Sequence, residues 1–558
     1  MLEKTIRGAA HAAWIASCWT PYRSLRRAQD NPAAAQAALL DRMLRANASS
    51  AYGRKFGFGR VRTAREFQSA VPIVGYDELR PWIERIKAGE RTVLTEEPVL
   101  MLEKTSGSST AAKYIPYTSS LRREFQRAVG AWMFDLHAHQ PAMVSGTAYW
   151  AITPLAREPE ITSGGLQVGF ENDTEYLGAA ERFLLRKILA VPEEVAHVSE
   201  LDTALYVTLR FLLQSPSLTF ISVWAPSFLT ILLEHLHNHA ERLLADLHNG
   251  TLRPPGQLAA ALAPALHHSL RADPFRARRL EHAWRESGSL RTLDLWPNLR
   301  VISCWTDASS RAAVPALREL FPGVRIQSKG LLATEGVVSV PLTKHGACVA
   351  ALTSHFYEFV VQPGQPPRLL HELEANHEYS VLLTTGGGFY RYRLGDRVRV
   401  VGFAKNTPLL EFLGKEDGVS DLCGEKLSPA FVGSVLHELS VERAYRADFA
   451  MLAPSQQEGP RYVLFLEGAT SQTDLALRLD KKLTQNPHYA YCRRLGQLAA
   501  PRIFQITSDA GESYLRRCVA LGQRAGAVKA VALHRLTGWE DIFLGDWTEH
   551  RAAQEVEA

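Results

Sequence analysis

Apolar and polar positions along the chain switch repeatedly between helical and strand periods. Between residues 31 and 47 an Ala-rich run places Leu39, Leu40, Met43 and Leu44 at helical spacing, and Tyr52-Gly53 then breaks the pattern, which predicts a helix followed by a loop. Ahead of it, Lys4 and Arg7 precede a weakly apolar stretch from residue 8 to 19 that is interrupted by His11 and followed by no small-residue cleavage site. That stretch reads as an amphipathic helix packed on the body. Strand-like runs at residues 92–95 and 99–102 lead into a polar loop, Thr105-Ser106-Gly107-Ser108-Ser109-Thr110, with Lys113 after it. Residues 121–138 are helical in pattern, 149–152 and 218–223 strand-like, and 228–247 a long helical region. Core strands are predicted at 301–304 and 324–327, and residues 379–401 are strongly β-like around the turn Gly386-Gly387-Gly388. Alternating helices and strands of this kind predict an α/β fold with sheets flanked by helices.

A chain of 558 residues exceeds what one core usually organises, so at least two domains are expected. After Phe412-Leu413-Gly414 the composition turns to Lys415-Glu416-Asp417-Gly418, a sequence suited to a hinge. The predicted division is a large N-terminal domain over 1–414, a hinge over 415–428, and a smaller, mobile α+β domain over 429–558. Hydrophobic residues at 46% and charged residues at 22% exclude a disordered or fibrous chain. The 63 basic and 58 acidic residues leave a net charge of +5, too mild to argue for nucleic acid. Six cysteines without a Cys-x-x-Cys pair suggest neither a zinc ribbon nor a disulfide framework, and point to a reducing cytoplasm. No uninterrupted apolar run reaches the roughly 18 residues that a membrane helix needs, so no membrane partner is expected.

Four stretches carry candidate chemistry. The loop from Thr105 to Thr110, with Lys113, has the amides, hydroxyls and cation needed to hold a polyphosphate, although a polar surface turn has the same composition. Ala333-Thr334-Glu335-Gly336 puts a carboxylate in a loop next to a core strand. Tyr390-Arg391-Tyr392-Arg393-Leu394-Gly395-Asp396 offers an Asp that, at a β-turn, would accept hydrogen bonds from a ribose diol or simply close the turn. Asp421-Leu422-Cys423-Gly424-Glu425-Lys426 places Lys426 just past the hinge. His235 and His239 share one helical face, but without the Glu of a zincin helix they read as a solvated face. A Walker A loop, a Gly-x-Ser-x-Gly elbow and a Gly-x-Gly-x-x-Gly turn are all missing from the sequence.

In order and spacing these stretches resemble the acyl-acid amido synthetases of the auxin-responsive Gretchen Hagen family, within the adenylate-forming superfamily. Ser50-Ala51-Tyr52-Gly53, Val71-Pro72-Ile73 and Ile302-Ser303-Cys304-Trp305-Thr306 extend the resemblance over nearly the whole chain, and the segment from Tyr390 to Asp396 is its most distinctive part. The resemblance implies ATP-dependent adenylation of a carboxylic acid and transfer of the acyl group to an amine such as an amino acid. It implies that Thr105, Ser106, Gly107, Ser108, Ser109 and Lys113 hold the ATP phosphates, that Glu335 ligates Mg2+ with Thr334 beside it, and that Thr306 and Asp307 lie by the adenine. Asp396 would hold the ribose hydroxyls, Lys426 would be the hinge lysine, and Lys529 the lysine from the mobile domain. Trp224 and Ala225, in Val223-Trp224-Ala225-Pro226, are implied at the acid pocket, where Trp224 is equally readable as core. One departure stands out: Thr110, followed by Ala111 and Ala112, occupies the place of a loop glycine. An acyl-CoA or carrier-protein ligase, or an inactive nucleotide-binding protein, would share much of this pattern. The sequence leaves the oligomeric state open.

Overall fold

The computed structural model describes residues 2–105, 113–151, 160–169, 179–362, 364–416, 418–470, 474–523 and 525–548. Its internal contacts divide the chain into two units, one comprising Met1–Asp307, Ala313–Leu413 and Arg524–Ala527, the other Ala308–Ala312, Gly414–Gln523 and Val528–Ala558.

The first unit opens with the helix Leu2–Ala28. It buries Ala10, His11, Trp14, Cys18 and Leu25, a seam at spacings of three and four residues, against the helix Ser119–His139. The two approach so closely that a Cβ on Gly130 would lie 3.1 Å from the Pro21 ring. The polar residue that interrupts the apolar stretch is therefore buried, and His11 finds a partner in the Gly146 carbonyl at 3.1 Å. The Ala-rich pattern forms the helix Pro32–Ala46, begun by the Asn31 side chain accepting from the Ala34 amide. Tyr52-Gly53 departs from its expected loop. Ser50 Oγ accepts from the Gly53 amide and starts a short helix, Ala51–Lys55, and glycine is required because a Cβ there would sit 2.0 Å from the Asn47 carbonyl. Residues 92–95 are likewise no strand. Their carbonyls at Thr92 and Val93 instead take the amides of Ala51 and Tyr52, at 2.9 Å each, so local hydrogen bonds to a helix start replace a ladder.

Three sheets position the candidate site. Thr147–Trp150, Leu218–Ser222, Val301–Cys304 and Arg325–Ser328 form a parallel sheet in that order. The helices Leu201–Leu213 and Pro226–Asn238 lie in its crossovers, as parallel pairing demands. The region predicted as one long helix is two, Pro226–Asn238 and Ala240–Asn249, interrupted at His239. A second sheet of seven strands runs Ser339–Pro341, Cys348–Ala350, Thr407–Lys415, Tyr392–Ala404, Glu378–Thr384, Phe356–Val360 and Arg368–Leu369. A third contains the antiparallel pair Met101–Thr105 and Lys113–Tyr117.

The second unit is a two-layer α+β body. Tyr445–Ser455, Arg461–Thr470, Arg502–Ile506 and Gly545–Trp547 make its sheet. Alternate residues Tyr462, Leu464 and Leu466 pack with Val432, Val435 and Leu439 of helix Pro429–Val441 and with Leu475 and Leu479 of helix Leu475–Leu483. Among the described residues no helix is long and apolar enough to cross a membrane.

Candidate active site

The polar loop predicted to hold phosphates is the connection of a β-hairpin. Thr105 and Lys113 are register partners at its base, so the backbone sets the Lys113 side chain beside the strand that ends at Thr105. Ser106, Gly107, Ser108 and Ser109 lie outside the described residues, as do Thr110, Ala111 and Ala112. The strand that begins at Lys113 ends at Tyr117, whose hydroxyl donates to the Thr334 carbonyl at 2.7 Å. One hydrogen bond thus ties the hairpin to the turn that carries Glu335.

Thr334 and Glu335 form the two-residue connection between paired strands Leu332–Ala333 and Gly336–Val337. Glu335 is only 8% exposed, unusual for a turn carboxylate. Behind this turn stands a buried pair that the sequence analysis missed. The Val337 amide donates to His355 Nε2 at 3.0 Å, so the ring proton sits on Nδ1, which faces Glu124 Oε2 at 2.9 Å. Both Glu124 oxygens also accept from the Gly386 amide, at 3.0 and 2.9 Å. The same glycine's carbonyl accepts from Thr118 Oγ1, the cap of the helix Ser119–His139. Helix start, glycine turn and Glu335 turn are consequently held by one buried network. Glu124 and His355 lie 231 residues apart, and neither has a local pattern that would reveal the other.

The segment from Tyr390 to Asp396 divides into an anchor and a candidate contact. Tyr390 stacks on Tyr52 at 5.2 Å and donates to the Leu94 carbonyl. Arg391 adopts φ of 49°, in the left-handed region, and is 4% exposed. Its guanidinium takes both oxygens of Glu358 at 2.9 to 3.1 Å and donates to the carbonyls of Gln68 and Val71. Tyr392 begins a strand rather than a turn. The register against Glu378–Thr384 shifts between Ser380 and Leu382, and Gly395 supplies φ of 76° at that bulge. Asp396 therefore does not close a β-turn: it lies within the bulge, on the inward face of the strand, and is 2% exposed. The bulge gives a physical reason for Gly immediately before Asp.

Thr306 and Asp307 follow the strand Val301–Cys304. Thr306 Oγ1 is 3.3 Å from Asp307 Oδ1, and the Phe412 amide donates to Asp307 Oδ2 at 3.3 Å. Phe412 belongs to the strand Thr407–Lys415, the neighbour of the strand bearing Asp396. Trp224, half-buried, packs on Trp305 at 5.2 Å, and its carbonyl accepts from the Trp305 amide. Ala225 is fully buried.

Lys426 and Lys529 belong to the second unit. Ser420 and Leu427 exchange backbone hydrogen bonds and close a loop in which the Glu425 carboxylate takes the amides of Leu422 and Cys423 and the Tyr462 hydroxyl. These bonds hold the Glu425 carboxyl below its usual range against the opposing effect of burial, which is the largest single influence. The loop presents Lys426 exposed, at φ of 47°. Lys529 is half-buried, and its carbonyl accepts from Tyr514. Cys423, Glu425 and Cys492 are the grouping of three possible metal ligands among the described residues, with ligand atoms within 4.8 Å of one another. His235 and His239 lie with ring centroids 4.4 Å apart and planes tilted by 52°, and belong to no such group.

Comparison with known proteins places this architecture. The solved structure of GH3.15 acyl acid amido synthetase superposes with a TM-score of 0.78 over 91% of this chain and 92% of its own, at 19% identity. The AtGH3.15 structure in complex with 2,4-DB gives 0.80 over 93% and 94%, also at 19% identity. The fold is thus that of an acyl acid amido synthetase. The GH3 family N-terminal domain matches residues 21–326, the central domain 348–415 and the C-terminal domain 432–535, and the chain belongs to the GH3 family. Among its relatives are a probable indole-3-acetic acid-amido synthetase, GH3.12, of Oryza sativa subsp. japonica, 24% identical over 88% of this chain and 89% of that one. Jasmonoyl–L-amino acid synthetase JAR6 of Nicotiana attenuata is 24% identical over 89% and 90%.

Proposed function

We propose that the chain is a ligase that adenylates a carboxylic acid with ATP and transfers the acyl group to an amine, with an amino acid as the favoured acceptor. The observation that carries the reading is the hydrogen-bonded connection from the Thr105–Lys113 hairpin through Tyr117 to the Thr334–Glu335 turn, within a chain of this family. The acid's carboxylate oxygen attacks the α-phosphorus of ATP, the bond to the bridging oxygen breaks, and pyrophosphate leaves. The amine then attacks the acyl carbonyl, loses a proton, and AMP departs. Bringing an anion to a polyanion requires cations, and Lys113 supplies one at the hairpin base. A buried carboxylate in a turn is a hard oxygen donor that fits Mg2+, so Glu335 would hold the ion, which neutralises phosphate charge when bound. Asp396 would accept from the ribose hydroxyls, and Thr306 and Asp307 would border the adenine.

Residues 415–428 would act as the hinge between an N-terminal domain, 1–414, and a mobile C-terminal domain, 429–558. Through it the exposed Lys426 would reach the nucleotide for the first half-reaction, and Lys529 would belong to the same moving domain. Incubating the protein with Mg2+, ATP, labelled pyrophosphate and pooled carboxylic acids tests the reading. Acid-dependent exchange, followed by amide product on adding amino acids, is expected; exchange that ignores the acid, or a thioester with CoA in place of an amide, would overturn it.

A further inference from the structure

Cys423, Glu425 and Cys492 of the second unit stand in a setting that packing alone does not explain. Cys423 and Glu425 belong to the loop closed by Ser420 and Leu427, and Cys492 belongs to the helix Pro487–Arg494. Glu425 is fully buried and Cys492 is 3% exposed, whereas Cys423 is half-buried and Gly424 beside it is exposed, so the cluster has a side open to solvent. Each sulfur meets an oxygen, where a thiol serving only as a small apolar filler would need nothing but carbon around it. Cys423 Sγ lies 3.4 Å from Glu425 Oε2, and Cys492 Sγ lies 3.4 Å from the Cys423 carbonyl. The backbone bonds between Ser420 and Leu427 close the loop without either sulfur, so loop closure does not call for the pair.

One ligand atom from each of the three side chains lies within 4.8 Å of the other two. A tetrahedral Zn2+ with Zn–S of about 2.3 Å and Zn–O of about 2.0 Å spaces its ligand atoms about 3.5 to 3.8 Å apart, so the grouping closes on an ion through side-chain movements of roughly 1 Å. The separation of Cys423 Sγ and Glu425 Oε2 already matches such an edge. The carboxylate is also oriented from behind in the manner of a ligating one. Its Oε1 accepts from the Leu422 amide at 2.7 Å and from the Tyr462 hydroxyl, and its Oε2 accepts from the Cys423 amide at 2.9 Å. The acceptor capacity left on Oε2 is taken by the Cys423 thiol, whose proton a cation would replace.

We propose that Cys423, Glu425 and Cys492 form a binding site for a thiophilic divalent cation of the Zn2+ class, with water in the open fourth position. On binding, two thiol protons leave for solvent, two sulfur–metal bonds and one oxygen–metal bond form, and no electrons are transferred. Two thiolates select Zn2+ over Mg2+, which prefers hard oxygen donors, so this site is separate from the ion assigned to Glu335. A disulfide would join the same sulfurs, but it gives the buried carboxylate no part and requires an oxidant; the third donor favours the ion. Occupation pins the loop that carries Lys426 to the helix Pro487–Arg494, to which the bond from Asn486 Nδ2 to the Lys426 carbonyl at 3.4 Å otherwise links it.

Titration of the untagged full chain with Co2+ under a non-thiol reductant, followed by absorption, tests the proposal without ATP or acid. One equivalent per chain is expected to bring up a thiolate-to-cobalt charge-transfer band with the strong d–d absorption of a tetrahedral ion, and Zn2+ should displace it. Cys423→Ser and Cys492→Ser should each weaken Co2+ binding at least about 100-fold, and Glu425→Gln at least about tenfold, whereas Cys518→Ala, which removes a thiol of the same unit outside the cluster, should bind as the wild type does. In the wild-type chain Zn2+ should also slow alkylation of Cys423, read by peptide mass, and raise the melting point. Absence of the charge-transfer band from the wild-type chain overturns the proposal without recourse to any variant, as does alkylation of Cys423 that proceeds at the same rate with and without Zn2+. A band that survives in both serine variants overturns it too, because the ion then sits elsewhere, and so does a chain that takes up no metal but forms a Cys423–Cys492 disulfide under a mild peroxide.

Discussion

Glu358→Gln isolates the anchor at the start of the Asp396 strand. In the folded protein Glu358 and Arg391 are 1% and 4% exposed, and the guanidinium spends its other donors on the Gln68 and Val71 carbonyls. Neutralising the carboxylate strands a buried cation, which costs about 3 to 5 kcal/mol when one partner of such a pair is removed. The retained amide oxygen favours the lower end. Unfolding entropy of about 2.1 cal/mol/K per residue over a unit of roughly 400 residues turns this into a melting point lower by about 4 to 6 °C. Thermal and urea melts followed by tryptophan fluorescence, run as a double-mutant cycle with Arg391→Met, read both the cost and the coupling. The double variant should cost less than the sum of the singles by at least about 1.5 kcal/mol, because the apolar replacement leaves no stranded charge. Additive singles, or a Glu358→Gln protein that melts with the wild type, would refute the claim that this pair fixes the left-handed turn at Arg391.

Asp396→Ala should raise the KM for ATP by the equivalent of about 2 to 3 kcal/mol, since it removes hydrogen bonds to a charged acceptor; unchanged ATP dependence would count against the ribose assignment. Lys426→Ala should slow pyrophosphate exchange while leaving the melt unaltered, because the side chain is exposed, and normal exchange would exclude the lysine from adenylation. Gly386→Ala would put a Cβ 2.6 Å from Glu124 Oε1 and 2.7 Å from Ser120 Cβ, an overpacking cost of about 1 to 3 kcal/mol that urea melts would report. Burial lowers His534 to about 4 from an ordinary 6.5, with the Arg535 charge adding to the effect. Below pH 6.5 the unfolded chain takes up a proton that the folded chain refuses until about pH 4, so stability is full above 6.5 and falls as pH drops through that window, by roughly 3 kcal/mol. His534→Gln should flatten the pH dependence of the urea midpoint there, and an unaltered profile would contradict the assignment.

What the sequence made legible was what repeats or clusters locally. The strand Val301–Cys304 and the helix Pro32–Ala46 announce themselves by a short, mostly apolar run around Ser303 and by a 3.6-residue period. Short-range chemistry misled in both directions. Thr92 and Val93 look extended yet bond a helix start, and Gly395-Asp396 looks like a turn yet forms a bulge inside a strand. Long-range pairs were invisible. Glu124 and His355 meet across 231 residues, and Cys423 meets Cys492 across 69, because sheet and helix packing brings them together and no local spacing encodes it. Without a Cys-x-x-Cys pair the two cysteines carry no pattern.

One helix, Ser119–His139, carries both Glu124, which braces the Glu335 turn, and Trp132, whose ring faces the buried Lys329 ammonium. Eight residues of α-helix make a rigid bar of about 12 Å between them. Any displacement at Trp132 is thus transmitted along a fixed ruler: sliding the helix would drag the brace along and dislodge the carboxylate it steadies.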